Sequence, residues 1–207
     1  MSVKHANAAH PIHDLITRRF SPYAFSGRAI SHADLRSLFE AARWAASANN
    51  EQPWSYIVAT REDATEHARL LSCLVDANQV WAKAAPVLAL GVVRTRFTRN
   101  DKPNAAARHD LGAASAQLSL EATARGIAVH PMLGILPDRA RELYAIPEHS
   151  EALTGLAIGY AAPPDEAPAS LRERDQTPRT RKPLEGFVFG GRYGEASSVL
   201  SIPSPPS

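Results

Sequence analysis

The run Val87-Leu88-Ala89-Leu90-Gly91-Val92-Val93 has no polar side. Successive residues of a strand point to opposite faces, so a strand apolar at every position must be covered on both. Whatever else the chain does, it has to supply layers above and below this segment. The other periodic segments supply them. Leu35, Leu38, Phe39, Ala42 and Ala46 recur at helical spacing, with Ser31 as N-cap and Asp34 at N3, and this helix is expected to stop near Ser47. Residues 62–77 carry Ala68, Leu71, Leu74 and Val75 on one helical face. The longest helical pattern runs from Ala105 to Arg125, with Leu111, Ala114, Leu118 and Ala122 as its stripe and Gly126 placed to end it. Its many small residues allow other backbones to approach closely, which marks it as central.

Further strands are expected at Tyr56–Thr60, at Ile127–Val129 ending before Pro131, and at Leu153–Tyr160. Short helices are expected over Ile12–Arg19 and from Asp138, as cap, to Tyr144. Residues 161–180 are polar and proline-rich and read as a long loop. Strands separated by helices suggest a mixed central sheet flanked by helices. Residues 1–11 read as a flexible arm and residues 196–207 as a flexible tail, leaving 12–195 as the folded domain.

Composition removes several function classes. The chain has 207 residues, enough for one domain with a sizeable core. Lys plus Arg is 23 against 21 for Asp plus Glu, so bulk charge gives no basis for binding nucleic acid. No apolar run approaches the roughly 18–20 residues of a membrane span, and no signal-peptide core precedes the domain. The expected compartment is the cytoplasm. Cys73 is the only cysteine, which excludes an intrachain disulfide and a cysteine-based zinc cluster. It lies among Leu71 and Leu74 and reads as a buried, inert thiol. His5, His10 and His13 lack a carboxylate or a helical register to make them a metal site, so no metal is expected. G-x-G-x-x-G after the first strand, the Walker A sequence and G-x-S-x-G are all absent.

Three segments carry the chemistry. The first is Arg18-Arg19-Phe20-Ser21-Pro22-Tyr23-Ala24-Phe25. The second is Ala45-Ala46-Ser47-Ala48-Asn49-Asn50-Glu51-Gln52-Pro53-Trp54. The third is Arg179-Thr180-Arg181-Lys182-Pro183. Arg19, Ser21, Arg179 and Arg181 offer guanidinium forks and a hydroxyl suited to a phosphate. The amides and hydroxyl of the second segment suit a polar heteroaromatic ring. Each segment alone has a plainer reading: loop arginines are usually solvated, and Gln52-Pro53-Trp54 also describes a turn with an aromatic anchor.

In this order, the three segments resemble the FMN-dependent nitroreductase family. Asn78 before Trp81-Ala82-Lys83-Ala84-Ala85-Pro86 and the stretch Gly126 to Gly134 agree with it. The resemblance spans about residues 12–195. It implies an α+β nitroreductase-like fold and an intertwined homodimer, with FMN in clefts between subunits. The helix at 105–125 would form the dimer core, and the chain after Ala161 would help bind the dimer together. By similarity the cofactor-binding residues are Arg18, Arg19, Phe20 and Ser21; Ser47, Ala48, Asn50 and Gln52; Asn78; Pro131, Met132, Leu133 and Gly134; and Arg179 and Arg181. Arg19, Ser21, Arg179 and Arg181 would hold the phosphate. Asn78 would meet the pyrimidine side of the flavin. Ser47, Ala48 and Asn50 would come from the partner subunit, and the backbone amides of Leu133 and Gly134 would lie near N5.

The implied activity is that of an NAD(P)H oxidoreductase. NADH or NADPH would reduce FMN, and a nitro compound, quinone or other small electrophile would then take the electrons in a ping-pong sequence. No side chain is required as a catalytic acid or base. The alternatives are a flavin-binding protein with little turnover, or a flavin enzyme of another outcome such as a dehalogenase or dehydrogenase. The chain departs from the family at Tyr23, where Arg or Lys is common, at Ala46, where proline is usual, and at Leu133. Tyr23, Phe97 and Met132 are candidates for the rim of the site. The expected partners are a second copy of the chain and a small-molecule acceptor, without nucleic acid or membrane.

Overall fold

The apolar run is a strand, Val87–Arg94, and its first seven residues are all buried. In the computed structural model, which describes residues 4–201, it is a central strand, here β2. Residues 1–3 of the expected arm and 202–207 of the expected tail lie outside the described residues. The described residues divide into two units, the first ending at Gln176 and the second beginning at Thr177. The first contains α1 (Asp14–Arg18), α2 (His32–Arg43), β1 (Trp54–Thr60), α3 (Ala64–Leu71), α4 (Asp76–Ala82), β2, α5 (Ala107–Ala124), β3 (Ala128–Met132), α6 (Pro137–Tyr144), β4 (Ser150–Gly159) and α7 (Ala169–Gln176). The second has single turns at Leu184–Gly186 and Ser198–Leu200, and a bridge joins Phe189 to Ala196.

The α+β class holds, but the sheet is not mixed. Its order is β1-β2-β4-β3 and every pairing is antiparallel. Helices between strands suggested crossovers, which give parallel neighbours. Here the β1–β2 connection carries two helices and returns to the end it left, since Thr60 pairs with Val87.

Cover on both faces is what an all-apolar strand demands, and it is found. Leu88, Leu90 and Val92 join one core with Leu70, Leu74, Trp81 and Ala140. Val87 and Ala89 face the other, with Leu38, Ala42, Ala114, Leu118 and Ala122. Each large side chain so buried contributes about 1.5–3 kcal/mol. The α5 stripe is therefore where its periodicity placed it. Gly126 follows with φ +70°, and Ile127 N–H donates back to Ala122 O at 2.8 Å. Cys73 is fully buried, and burial pushes its thiol pKa up. None of the helices among the described residues is long and apolar enough to cross a membrane.

Several boundaries differ from expectation, each for a tertiary reason. The 62–77 helix is two helices, because the chain leaves α3 to bond elsewhere. Leu136 N–H donates to Cys73 O at 2.7 Å, and Val75 N–H donates to Gly134 O at 3.1 Å. The helix α2 stops at Arg43, with Trp44 as its cap, and not near Ser47. The strand β3 runs through Pro131. It is the edge strand, where proline is tolerated. The cap of α6 is Leu136 and not Asp138, with Pro137 starting the helix. Residues 169–176 of the expected loop form α7, which has no buried residue and so no apolar stripe to announce it.

Candidate functional site

The segment after α1 is fixed by three other elements. Asp175 of α7 accepts from Tyr23 N–H at 2.8 Å and Ala24 N–H at 3.0 Å. His130 of β3 donates from Nδ1 to Pro22 O at 2.8 Å. The Tyr23 ring packs edge-on against His130, with centroids 4.6 Å apart, and against Trp81 of α4 at 5.1 Å. Within the segment, Arg19 Nη1 donates to Ser21 Oγ at 3.3 Å. Burial lowers the pKa of His130, with Arg19 and Arg174 adding to that effect and the Pro22 bond and Asp175 opposing it. A neutral imidazole with Nδ1–H is thus the form that holds Pro22.

The end of β3 meets α4 at the same corner. Asn78 Nδ2 donates to Gly134 O at 2.9 Å. A Cβ on Gly134 would collide with that amide and would lie 2.9 Å from Val75 Cγ2. Glycine is therefore what lets the chain pass α4 this closely. The N–H groups of Leu133 and Gly134 donate to no protein acceptor among the described residues. Neither residue is buried, so both can serve an incoming acceptor. The Leu133 side chain is 78% exposed beside them. Met132 is different: its side chain is buried in the core and its carbonyl accepts from Thr154 Oγ1 at 3.1 Å. It therefore offers a ligand little but backbone.

The second segment forms a loop of its own. Ser47 Oγ accepts from Gln52 N–H at 3.0 Å, and Gln52 Nε2 donates to Asn50 O at 3.2 Å and to Asn50 Oδ1 at 3.1 Å. Asn49, Asn50 and Gln52 all have positive φ, between 50° and 56°. A non-glycine residue reaches that region at a cost, so the loop is held from outside. Asp110, in the first turn of α5 and 2% exposed, accepts from Ala48 N–H at 3.0 Å. Glu51 accepts from both the N–H and the hydroxyl of Thr98. Trp54 does not end a turn; it opens β1 and packs on the core. The contacts described for this loop do not reach the corner built by Arg19, Ser21, Asn78 and Gly134.

Among the other expected residues, Arg18 is paired with Asp14 at 2.6 Å. Phe20 is half-buried and Pro131 exposed. Arg179 and Arg181 belong to the second unit, where Arg181 Nη1 donates to Thr180 O at 2.7 Å. His13, one of the three early histidines, accepts from Leu15 N–H at 3.2 Å as the cap of α1. Sequence reasoning missed Asp110, His130 and Asp175 as site-building residues. Asp175 bonds across a separation of 152 residues, and nothing local to its polar segment marks it.

Residues 16–160 match the Nitroreductase family. The chain belongs to this family. A solved structure of an oxidoreductase containing FMN is 33% identical, with a TM-score of 0.85, covering 93% of this chain and 98% of that one. An uncharacterized 15.4 kDa protein of Mycolicibacterium smegmatis is 33% identical over 131 residues, 63% of this chain and 87% of that protein. The major NAD(P)H-flavin oxidoreductase of Aliivibrio fischeri is 34% identical over 94 residues, 44% of this chain and 43% of its own length.

Proposed function

We propose that this nitroreductase-family protein is an FMN-dependent NAD(P)H oxidoreductase, with residues 12–195 as its FMN-binding domain. The observation that carries the reading is the corner where Arg19 and Ser21, Asn78 and the free N–H groups of Leu133 and Gly134 come together through His130, Tyr23 and Trp81. The donor chemistry fits FMN. A guanidinium and hydroxyl suit the phosphate, and an amide and two backbone donors suit the polar edge of the isoalloxazine.

When bound, FMN would supply two-electron chemistry between NADH or NADPH and a nitro compound, quinone or other small electrophile, used in a ping-pong sequence. The chain binds and orients. Arg19 and Ser21 anchor the phosphate, Arg18 and Phe20 flank them, and Arg179 and Arg181 are proposed as further phosphate ligands on their chemistry. Asn78 orients the pyrimidine side. The N–H groups of Leu133 and Gly134 would donate toward the polar edge of the ring, with Pro131 and the Met132 backbone shaping the approach. Ser47, Ala48 and Asn50 act from the partner subunit of a homodimer, which agrees with a loop whose described contacts lie away from the corner, and Gln52 of the same loop is a further cofactor-binding residue. No side chain is assigned a proton-transfer role, since solvent supplies protons.

Purified protein should be yellow, or become so on addition of FMN, and bleach anaerobically with NADH or NADPH. A panel of nitro compounds and quinones should then restore the colour. Protein that stays colourless with FMN overturns the proposal. Flavin bound but never reoxidised by any acceptor would favour a binding protein with little turnover.

A further inference from the structure

The family's basic residue is missing at Tyr23, yet a guanidinium stands beside that position. Arg174 of α7 lies with Cζ 3.6 Å from the centroid of the Tyr23 ring. The next residue fixes the register, because Asp175 takes the backbone N–H groups of Tyr23 and Ala24. One helix thus pins the segment with one side chain and covers its ring with the neighbouring one. Arg174 is exposed and has no ion-pair partner among the described residues. A guanidinium resting on an aromatic face keeps its in-plane N–H groups for an oxyanion, and the stacking holds it in place beforehand.

Arg19 and Arg174 also act on a common neighbour. Both disfavour protonation of His130, so both cations lie within electrostatic reach of one imidazole. Arg19 is the residue that, with Ser21, offers the phosphate anchor. Two guanidinium groups from segments more than 150 residues apart therefore converge on one corner.

We propose that Arg174 is a phosphate-binding residue of the FMN site, supplying from α7 the cation that Tyr23 removes from the segment after α1. The Tyr23 ring is then a platform for Arg174 and not a loss to the site. This rests on the FMN reading above and deepens it.

The test compares dissociation constants for FMN and riboflavin, which differ by the phosphate, measured by flavin fluorescence in wild type, Arg174→Ala, Arg174→Gln and Arg174→Lys. A charge-assisted bond to phosphate predicts that Ala and Gln weaken FMN binding about tenfold or more. Riboflavin binding should not change, and Lys should fall between, since an ammonium keeps charge but not the stacked fork. Unchanged FMN affinity in Arg174→Ala and Arg174→Gln overturns the proposal. So does an equal loss for FMN and riboflavin, which would mean that Arg174 only supports the fold. Wild-type protein that binds neither flavin overturns the FMN reading itself, a result distinct from both.

Discussion

Replacing Gly134 with Ala should damage the corner through sterics alone. Gly134 is not among the glycines with positive φ, so alanine can adopt its backbone conformation. The trouble is space. The new methyl group would overlap Asn78 Nδ2 and lie 2.9 Å from Val75 Cγ2 and 3.4 Å from Asn78 Cγ. Asn78 must swing away, giving up its 2.9 Å bond to Gly134 O. That bond is worth about 0.5–1.5 kcal/mol, and relieving the overlap costs about 1–3 kcal/mol more. The expected destabilisation is about 1.5–4.5 kcal/mol. For a chain of this size, each kcal/mol lowers the melting temperature by about 2–4 °C, so thermal unfolding should shift down by about 3–18 °C. In an Asn78→Ala background the overlap with Asn78 is gone, and Gly134→Ala should then cost at least about 1 kcal/mol less. A Gly134→Ala variant that melts within about 2 °C of wild type, or strict additivity with Asn78→Ala, would refute the account of this glycine.

Asp110→Ala should release the 47–52 loop. It leaves Ala48 N–H without its acceptor and the positive-φ residues without their outside hold, at about 1.5–3 kcal/mol, and hydrogen exchange at 48–52 should rise while β2 stays protected. Asp175→Ala strips acceptors from Tyr23 and Ala24 N–H together, so a loss of about 2–5 kcal/mol in denaturant unfolding is expected, larger than for any exposed carboxylate of α7. Acid should weaken the fold through His130 and through His67, a buried residue of α3 whose Nε2 donates to Ala85 O at 3.0 Å. Burial holds both pKa values below the ordinary 6.5, so below that pH the unfolded chain binds more protons. Stability is then full above about pH 6.5 and falls as pH drops through the folded values, and His67→Gln with His130→Gln should flatten that slope in unfolding measured between pH 7.5 and 5.5.

The sequence determined the layers. An all-apolar β2 required cover on both faces, the α5 stripe was regular enough to place, and Ser31 and Gly126 marked helix ends by their own chemistry. It also carried the family signature, because Arg19, Ser21 and the Ser47–Trp54 run are contiguous and chemically unusual. These are local signals: period, cap and composition act within a few residues.

The tertiary structure decided the rest. Whether the 62–77 helix continues depends on Val75 and Cys73 finding partners at Gly134 and Leu136, some sixty residues away. Whether the sheet is mixed depends on where the chain returns after two helices, which no periodicity encodes. Whether Tyr23 is a defect or a platform depends on Arg174, on a helix without an apolar stripe. Each of these turns on hydrogen bonds or ring contacts between residues far apart in the chain. Such contacts leave no mark on either partner's local sequence until folding brings the two together.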